Sequence, residues 1–126
     1  KANRLMNKQW AEYLKRNNSI SGYVYILGNP GMPGHFKIGG TTDKPEERAD
    51  NLYSQGKTAV PARFSVEYKR MTFDCWGAEN YIHNELYLER INTEREFFKI
   101  QLGKAKTKVD ELITEYELFR YKHFNR

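Results

Sequence analysis

Two β-rich runs, Gly22-Tyr23-Val24-Tyr25-Ile26-Leu27 and His35-Phe36-Lys37-Ile38, are separated by Gly28-Asn29-Pro30-Gly31-Met32-Pro33-Gly34. Neither helix nor strand continues through so dense a cluster of glycine and proline. The chain must turn back there, and the two runs are expected to pair as a β-hairpin with a long loop.

Helical and extended patterns alternate around this hairpin. Residues 1–16 place Leu5, Met6, Trp10, Tyr13 and Leu14 on one face and Arg4, Lys8, Glu12 and Lys15 around the rest, an amphipathic helix that Asn17-Asn18-Ser19 ends. Asp43, Pro45 and Glu46 form a helix-start pattern of the capping-box kind. Phe64, Val66 and Tyr68 alternate with Ser65, Glu67 and Lys69, so residues 63–71 read as a third strand with those three side chains on one face. A helix from Asp74 to Leu88 follows. Residues 96–100 then form a short strand in which Glu96, Phe98 and Ile100 share a face. Val109, Leu112, Ile113, Tyr116 and Phe119 mark a last amphipathic helix from Lys104 onward. The expected fold class is α+β, a small mainly antiparallel sheet flanked by helices, with helical extensions at both ends.

With 126 residues the chain suits one domain. Its formal net charge of +5 and pI near 9.3 favour an anionic partner, of which nucleic acid is the commonest. Nine tyrosines and seven phenylalanines supply core first and base-stacking platforms second. Cys75 is the single cysteine, which excludes an internal disulfide and a cysteine-built zinc site and fits a reducing compartment. No apolar run approaches the ~20 residues that span a bilayer, and no secretory signal is visible. The expectation is an intracellular protein, cytoplasmic or associated with the nucleoid or nucleus. Because the chain starts at Lys1, it is expected to be part of a longer one.

Two charges fall where apolar residues belong. On the helix after Gly39-Gly40-Thr41-Thr42, Pro45, Arg48, Ala49 and Leu52 share a face at i, i+3, i+4, i+7, so Arg48 points inward. On the Asp74 helix the inward stripe reads Cys75, Trp76, Glu79, Ile82, His83, Leu86, with Glu79 in its middle. Inward charges are costly unless they are paired, bound to metal or used in chemistry. An arginine and a carboxylate aimed at one interior, with tyrosines just upstream, suit the cleavage of a phosphodiester.

Gly22-Tyr23-Val24-Tyr25, Lys37-Ile38-Gly39-Gly40-Thr41-Thr42, Glu46-Glu47-Arg48, the helix glutamate Glu79 and Arg95-Glu96-Phe97-Phe98 together resemble the GIY-YIG nuclease superfamily. The nearest likeness is to its branch named after a phage T5 reading frame, and it covers residues 22–100. The resemblance implies a nuclease domain over residues 20–102, between an N-terminal helix (1–19) and a C-terminal helix (103–126) packed as an extension of the same domain. It implies an endonuclease that hydrolyses DNA with one Mg²⁺ or Mn²⁺. Glu79 matches the family's metal-binding glutamate, Arg48 its transition-state arginine, and Tyr25 the first-motif tyrosine, with Tyr23 beside it. Lys37, Thr41, Thr42 and Arg48 are the expected contacts to nucleic acid. Lys37 stands where the second motif usually has tyrosine, and Gly40 where a larger, often basic, residue is expected. Lys37 is also placed to favour the Tyr25 phenolate; whether Tyr25, Lys37 or a third group takes the proton stays open.

His83, one helical turn after Glu79, is a further candidate for holding water, phosphate or the ion, and Glu96 for a supporting acid. Each has a plainer competitor. Arg48 can cover the core with its stem and pair with a surface acid, Glu79 can be solvated, His83 can be structural, and Glu96 can pair with Arg95. The basic edge of Lys104, Lys106, Lys108, Arg120, Lys122, His123 and Arg126 can follow a phosphate backbone or simply be a solvated helix face. Two other functions compete with the nuclease: a non-catalytic nucleic-acid-binding module, suggested by Lys37 and Gly40, and a protein-interaction domain whose terminal helices pair with a partner.

Overall fold

A computed structural model describes residues 3–54, 62–91 and 96–125, with side chains from residue 8 onward. The side chains of Leu5 and Met6 in the first stripe, and Arg95 and Arg126 altogether, lie outside what is described. The elements run α1 (Asn3–Arg16), β1 (Gly22–Gly28), β2 (His35–Thr41), α2 (Pro45–Ser54), β3 (Ser65–Thr72), α3 (Cys75–Glu85), β4 (Phe97–Lys99) and α4 (Leu102–Phe124). The four strands form one antiparallel sheet in the order β3-β1-β2-β4. No helix among the described residues is long and apolar enough to cross a membrane.

The hairpin forms as expected, with Tyr25 opposite Gly39 and Ile26 opposite Ile38. Its loop is fastened by Asn29, whose Oδ1 accepts from the Gly31 N–H and whose Nδ2 donates to the Ala62 carbonyl. Gly34, at φ 78°, makes the final turn into β2 in a conformation that favours glycine. His35 is the first residue of that strand, as the second β-rich run expects, and the strand continues beyond that run to Thr41.

The sheet carries a core on each face. On one, Val24, Ile26, Ile38 and Phe98 pack against Ala78 and Ile82 of α3 and Ala105, Val109 and Ile113 of α4. On the other, Tyr25, Leu27, Phe64 and Phe97 pack against Ala49 of α2. Full burial of a large apolar side chain contributes roughly 1.5–3 kcal/mol, so β1, apolar on both faces, is the axis of the fold.

The alternation in β3 breaks. Leu27 pairs with Val66 but Ile26 with Tyr68, which leaves Glu67 as a bulge. Phe64 and Val66 therefore pack with the α2 side, whereas Tyr68 crosses to the α3 and α4 side and donates to Asp110. The expected shared face of Glu96, Phe98 and Ile100 is shortened to the three-residue β4, whose Phe97 and Phe98 are buried on opposite faces.

Three helix readings are also corrected. Proline at the first position of α2 makes Lys44 the residue before the helix, and the Lys44 carbonyl accepts from the Glu47 and Arg48 N–H groups. Asp43 is thus one residue too early to cap, and Glu46 bonds Lys69 instead. α3 stops at Glu85. Phe119, expected on the inner stripe of α4, is 65% exposed, because by that point the helix has passed the sheet and meets α1.

The meeting of α1 and α4 is aromatic: Trp10 lies 5.3 Å from Tyr121 and 5.2 Å from Phe124, centroid to centroid. Asn18, at φ 59°, ends α1, and the Ser19 N–H returns to the Leu14 carbonyl. Both terminal helices thus bury part of their apolar faces against each other, Trp10 and Tyr13 against Tyr121 and Phe124, while Leu118 and Phe119 stay exposed. Beneath them Arg120 reaches Asp74 Oδ2 at 2.7 Å and Ser19 Oγ at 2.8 Å, and Tyr116 donates to the same Asp74 oxygen. Asp74 also caps α3 by accepting from the Gly77 N–H.

Candidate functional site

Two successive glycines of β2 set the geometry. Tyr25, 1% exposed, lies across the strand so closely that a Cβ on Gly39 would meet its Oη at 2.6 Å. Gly40 faces the opposite side, where a Cβ would meet the Cys75 carbonyl at 2.9 Å and the Gly40 N–H donates to Glu79 Oε2 at 3.0 Å. Glycine at both positions lets Tyr25 close on one face while α3 closes on the other. The larger residue expected at position 40 is excluded here by the backbone of α3.

α2 brings Arg48 to the same cleft as the Tyr25 hydroxyl, near enough for its guanidinium to favour the phenolate. Burial pushes Tyr25 up to about 12 against the opposing pull of that guanidinium, so it is a phenol at neutral pH. The cation at Tyr25 is Arg48 and not Lys37, as was expected: Lys37, 8% exposed, donates instead to Glu96 Oε1 at 2.7 Å. Cross-strand pairing explains the exchange, since Lys37 sits opposite Phe97, next to Glu96, and two residues away from the Gly39 that faces Tyr25.

α3 contributes Trp76, Glu79 and His83 at i, i+3, i+7, a single row that runs from rim to interior. Trp76 is 43% exposed, Glu79 half-buried and His83 6% exposed. Trp76 therefore leaves the inward stripe where it was expected; Cys75, Ala78 and Ile82 fill that stripe. The His83 Nε2–H donates to the Ile38 carbonyl at 2.7 Å, a bond that holds the ring and leaves the Nδ1 lone pair free. Burial lowers its pKa, which keeps it neutral.

One ligand atom each from Glu79, His83 and Glu96 lie within 4.8 Å of one another. Burial and then the Glu96 charge push Glu79 up to about 7. Burial alone would raise Glu96 as well, but the Lys37 charge and hydrogen bond prevail and hold it below the usual carboxylate range. Lys37 outweighs burial at Glu96, whereas the Gly40 N–H and the more distant Lys37 charge do not at Glu79. Two carboxylates and a neutral imidazole are a donor set for a divalent cation, the carboxylates suiting Mg²⁺ and the whole set Mn²⁺.

Tyr25, Arg48, Glu79 and Glu96 line one cleft of about 320 Å³ with Thr41 and Thr42. Lys37 and His83 stand behind it, each touching a member or its strand. Tyr23 does not line the cleft; it lies two residues before Tyr25 on β1, opposite Thr41 and Met71. Asp43, expected to start α2, Trp76, expected in the inward stripe, and Asn51, for which no role was expected, also line the cleft. Spacing alone could have found two of them, since Asn51 is one turn after Arg48 and Trp76 one turn before Glu79.

A family model described as the T5orf172 domain matches residues 22–117. No curated protein and no solved structure matches the chain.

Proposed function

As the chain belongs to the T5orf172 domain family, a GIY-YIG-like, nuclease-associated group, we propose that its cleft is the active site of a metal-dependent endonuclease that hydrolyses DNA phosphodiesters. The observation that carries this reading is the convergence of an arginine–tyrosine pair and two carboxylates on one cleft, with an imidazole within reach of both carboxylates behind it. Each half is costly to assemble for stability alone.

Glu79 would be the principal ligand of Mg²⁺ or Mn²⁺, with Glu96 and His83 beside it. Bound there, the ion supplies positive charge to the scissile phosphate and its leaving oxygen. Arg48 adds a fixed guanidinium from the α2 side, where negative charge develops on the phosphoryl oxygens. The Tyr25 phenol, oriented by Arg48, positions the attacking water; Arg48 is also the neighbour that eases loss of the phenolic proton. Lys37 is a positioning residue whose ammonium holds Glu96. Thr41 and Thr42 offer hydroxyl groups to the phosphate from the end of β2.

The test is nicking of supercoiled plasmid by the purified protein in Mg²⁺, Mn²⁺ or EDTA, beside Arg48→Ala and Glu79→Ala. The expected result is metal-dependent nicking that falls by roughly 10²-fold or more in both variants. Undiminished cleavage by Glu79→Ala overturns the assignment. A second reading, a nucleic-acid-binding module without catalysis, is favoured by Tyr25 being pushed up to about 12, which opposes its use as a base. Salt-sensitive binding without nicking under any metal would establish it.

A further inference from the structure

Trp76 is an anomaly in its setting. An indole that is 43% exposed contributes little to the core, and α3 is anchored without it by Cys75, Ala78 and Ile82 and by the Asp74 cap. Yet the helical row that carries Glu79 into the cleft places Trp76 at the mouth. α2 repeats the arrangement from its own side: Arg48 reaches inward to Tyr25, and one turn later Asn51 exposes its amide to the same cleft. The mouth thus combines an aromatic platform with a neutral amide, above a floor of charged groups.

An indole face and a carboxamide together match a nucleobase, which presents a π-face and an edge of donors and acceptors. Bases inside a duplex stack on one another and hide those faces. A single strand, a flap or an extruded nucleotide offers them. Resting on the reading that the cleft floor receives a phosphate, we propose that Trp76 and Asn51 form a nucleobase subsite at the cleft mouth. It seats one unpaired base beside the bound phosphate, so the substrate is single-stranded or locally unpaired nucleic acid.

Binding measured in EDTA separates this subsite from catalysis. Fluorescence anisotropy would compare a labelled DNA single strand, the RNA strand of the same sequence, the DNA duplex, and a strand of abasic deoxyribose phosphates. The wild type is expected to prefer base-bearing single strands to the abasic strand. Trp76→Ala should lose that preference, weakening binding to base-bearing strands by about tenfold. Its affinity for the abasic strand and the slope of affinity against salt should stay unchanged, because phosphate contacts remain. Trp76→Phe should retain most of the preference, and quenching of the Trp76 emission on binding should vanish in it while Trp10 remains. Asn51→Ala should change the ranking among homopolymers. If RNA and DNA strands behave alike, the subsite reads the base and not the sugar, as proposed.

Wild-type affinity in Trp76→Ala, or equal losses on base-bearing and abasic strands, overturns the subsite. Nicking that persists alongside such a result leaves the nuclease reading standing alone. A base preference that depends on Trp76 with no nicking in any metal leaves the subsite and removes the nuclease. A wild type that binds none of the strands overturns the subsite, and one that also nicks nothing in any metal overturns both.

Discussion

The Gly40 N–H and the Glu79 carboxylate are joined across the gap between β2 and α3 by a 3.0 Å hydrogen bond, and the absence of a side chain at position 40 permits it. A Cβ there would lie 2.9 Å from the Cys75 carbonyl, a backbone atom that yields only if α3 moves. Gly40→Ala should therefore destabilise the protein by about 1–3 kcal/mol and reduce nicking by more than its loss of stability explains, because Glu79 moves with the helix. Thermal melts and cleavage rates on the same preparation check this. A Gly40→Ala protein with wild-type Tm and rate would show that α3 has room to spare.

Glu79 makes the metal-free protein sensitive to pH. Its pKa is about 7 in the folded chain against an ordinary value of 4.5, so the folded state holds the proton more tightly than the unfolded state does. The resulting stability is complete below about pH 4.5 and is lost as pH rises through 7. Glu96 is shifted downward, so its own change falls below that window. His83 is shifted downward from 6.5 by burial and so adds stability as pH rises toward that value, against Glu79. In EDTA the net decline of Tm should therefore fall between about pH 6.5 and 8, and Glu79→Gln should remove it. A profile as steep in Glu79→Gln as in the wild type would assign it to other groups.

Breaking the Lys37–Glu96 pair tests the positioning role of Lys37. Lys37→Met strands a half-buried carboxylate beside Glu79. The expected loss is about 1–3 kcal/mol, below that of a fully buried pair because the Glu96 side chain is 32% exposed. The variant should also bind Mn²⁺ with altered affinity while its affinity for nucleic acid in EDTA changes little. Unaltered Mn²⁺ binding, read by calorimetry, would separate Lys37 from the metal group.

Arg120 and Asp74 fasten α3 to α4 and to the end of α1. Asp74→Ala removes the α3 cap, typically worth about 1 kcal/mol, and leaves the mostly buried Arg120 without its carboxylate. A total loss of about 3 kcal/mol in denaturant unfolding is expected. Arg120→Met, which keeps the apolar stem, should cost less. Equal and negligible effects from both would mean that the aromatic contacts of Trp10 carry this junction unaided.

The hairpin, the Trp10, Tyr13 and Leu14 side of α1, the α4 stripe as far as Tyr116 and the inward aim of Arg48 and Glu79 follow from local pattern. They depend on turn chemistry, on residue alternation and on 3.6-residue periodicity, all of which act over a few positions of one segment. Glu79 was legible because a charge breaks an apolar stripe. Asn51 and Trp76 were not, because a polar residue near a helix end and an aromatic in a small domain both have ordinary uses. The side change of Tyr68 depends on the Glu67 bulge, where one extra residue against β1 reverses every later orientation.

Which charges meet was decided by tertiary structure alone. Lys37 and Glu96 are 59 residues apart, as are Gly40 and Glu79 by 39, and no local pattern encodes such a pairing. The register of β2 against β1 and β4 sends Lys37 to Glu96 and leaves Arg48 for Tyr25. Periodicity specifies the face on which a charge lies. Its partner, and with that its protonation, depends on strand register and on how closely two backbones approach.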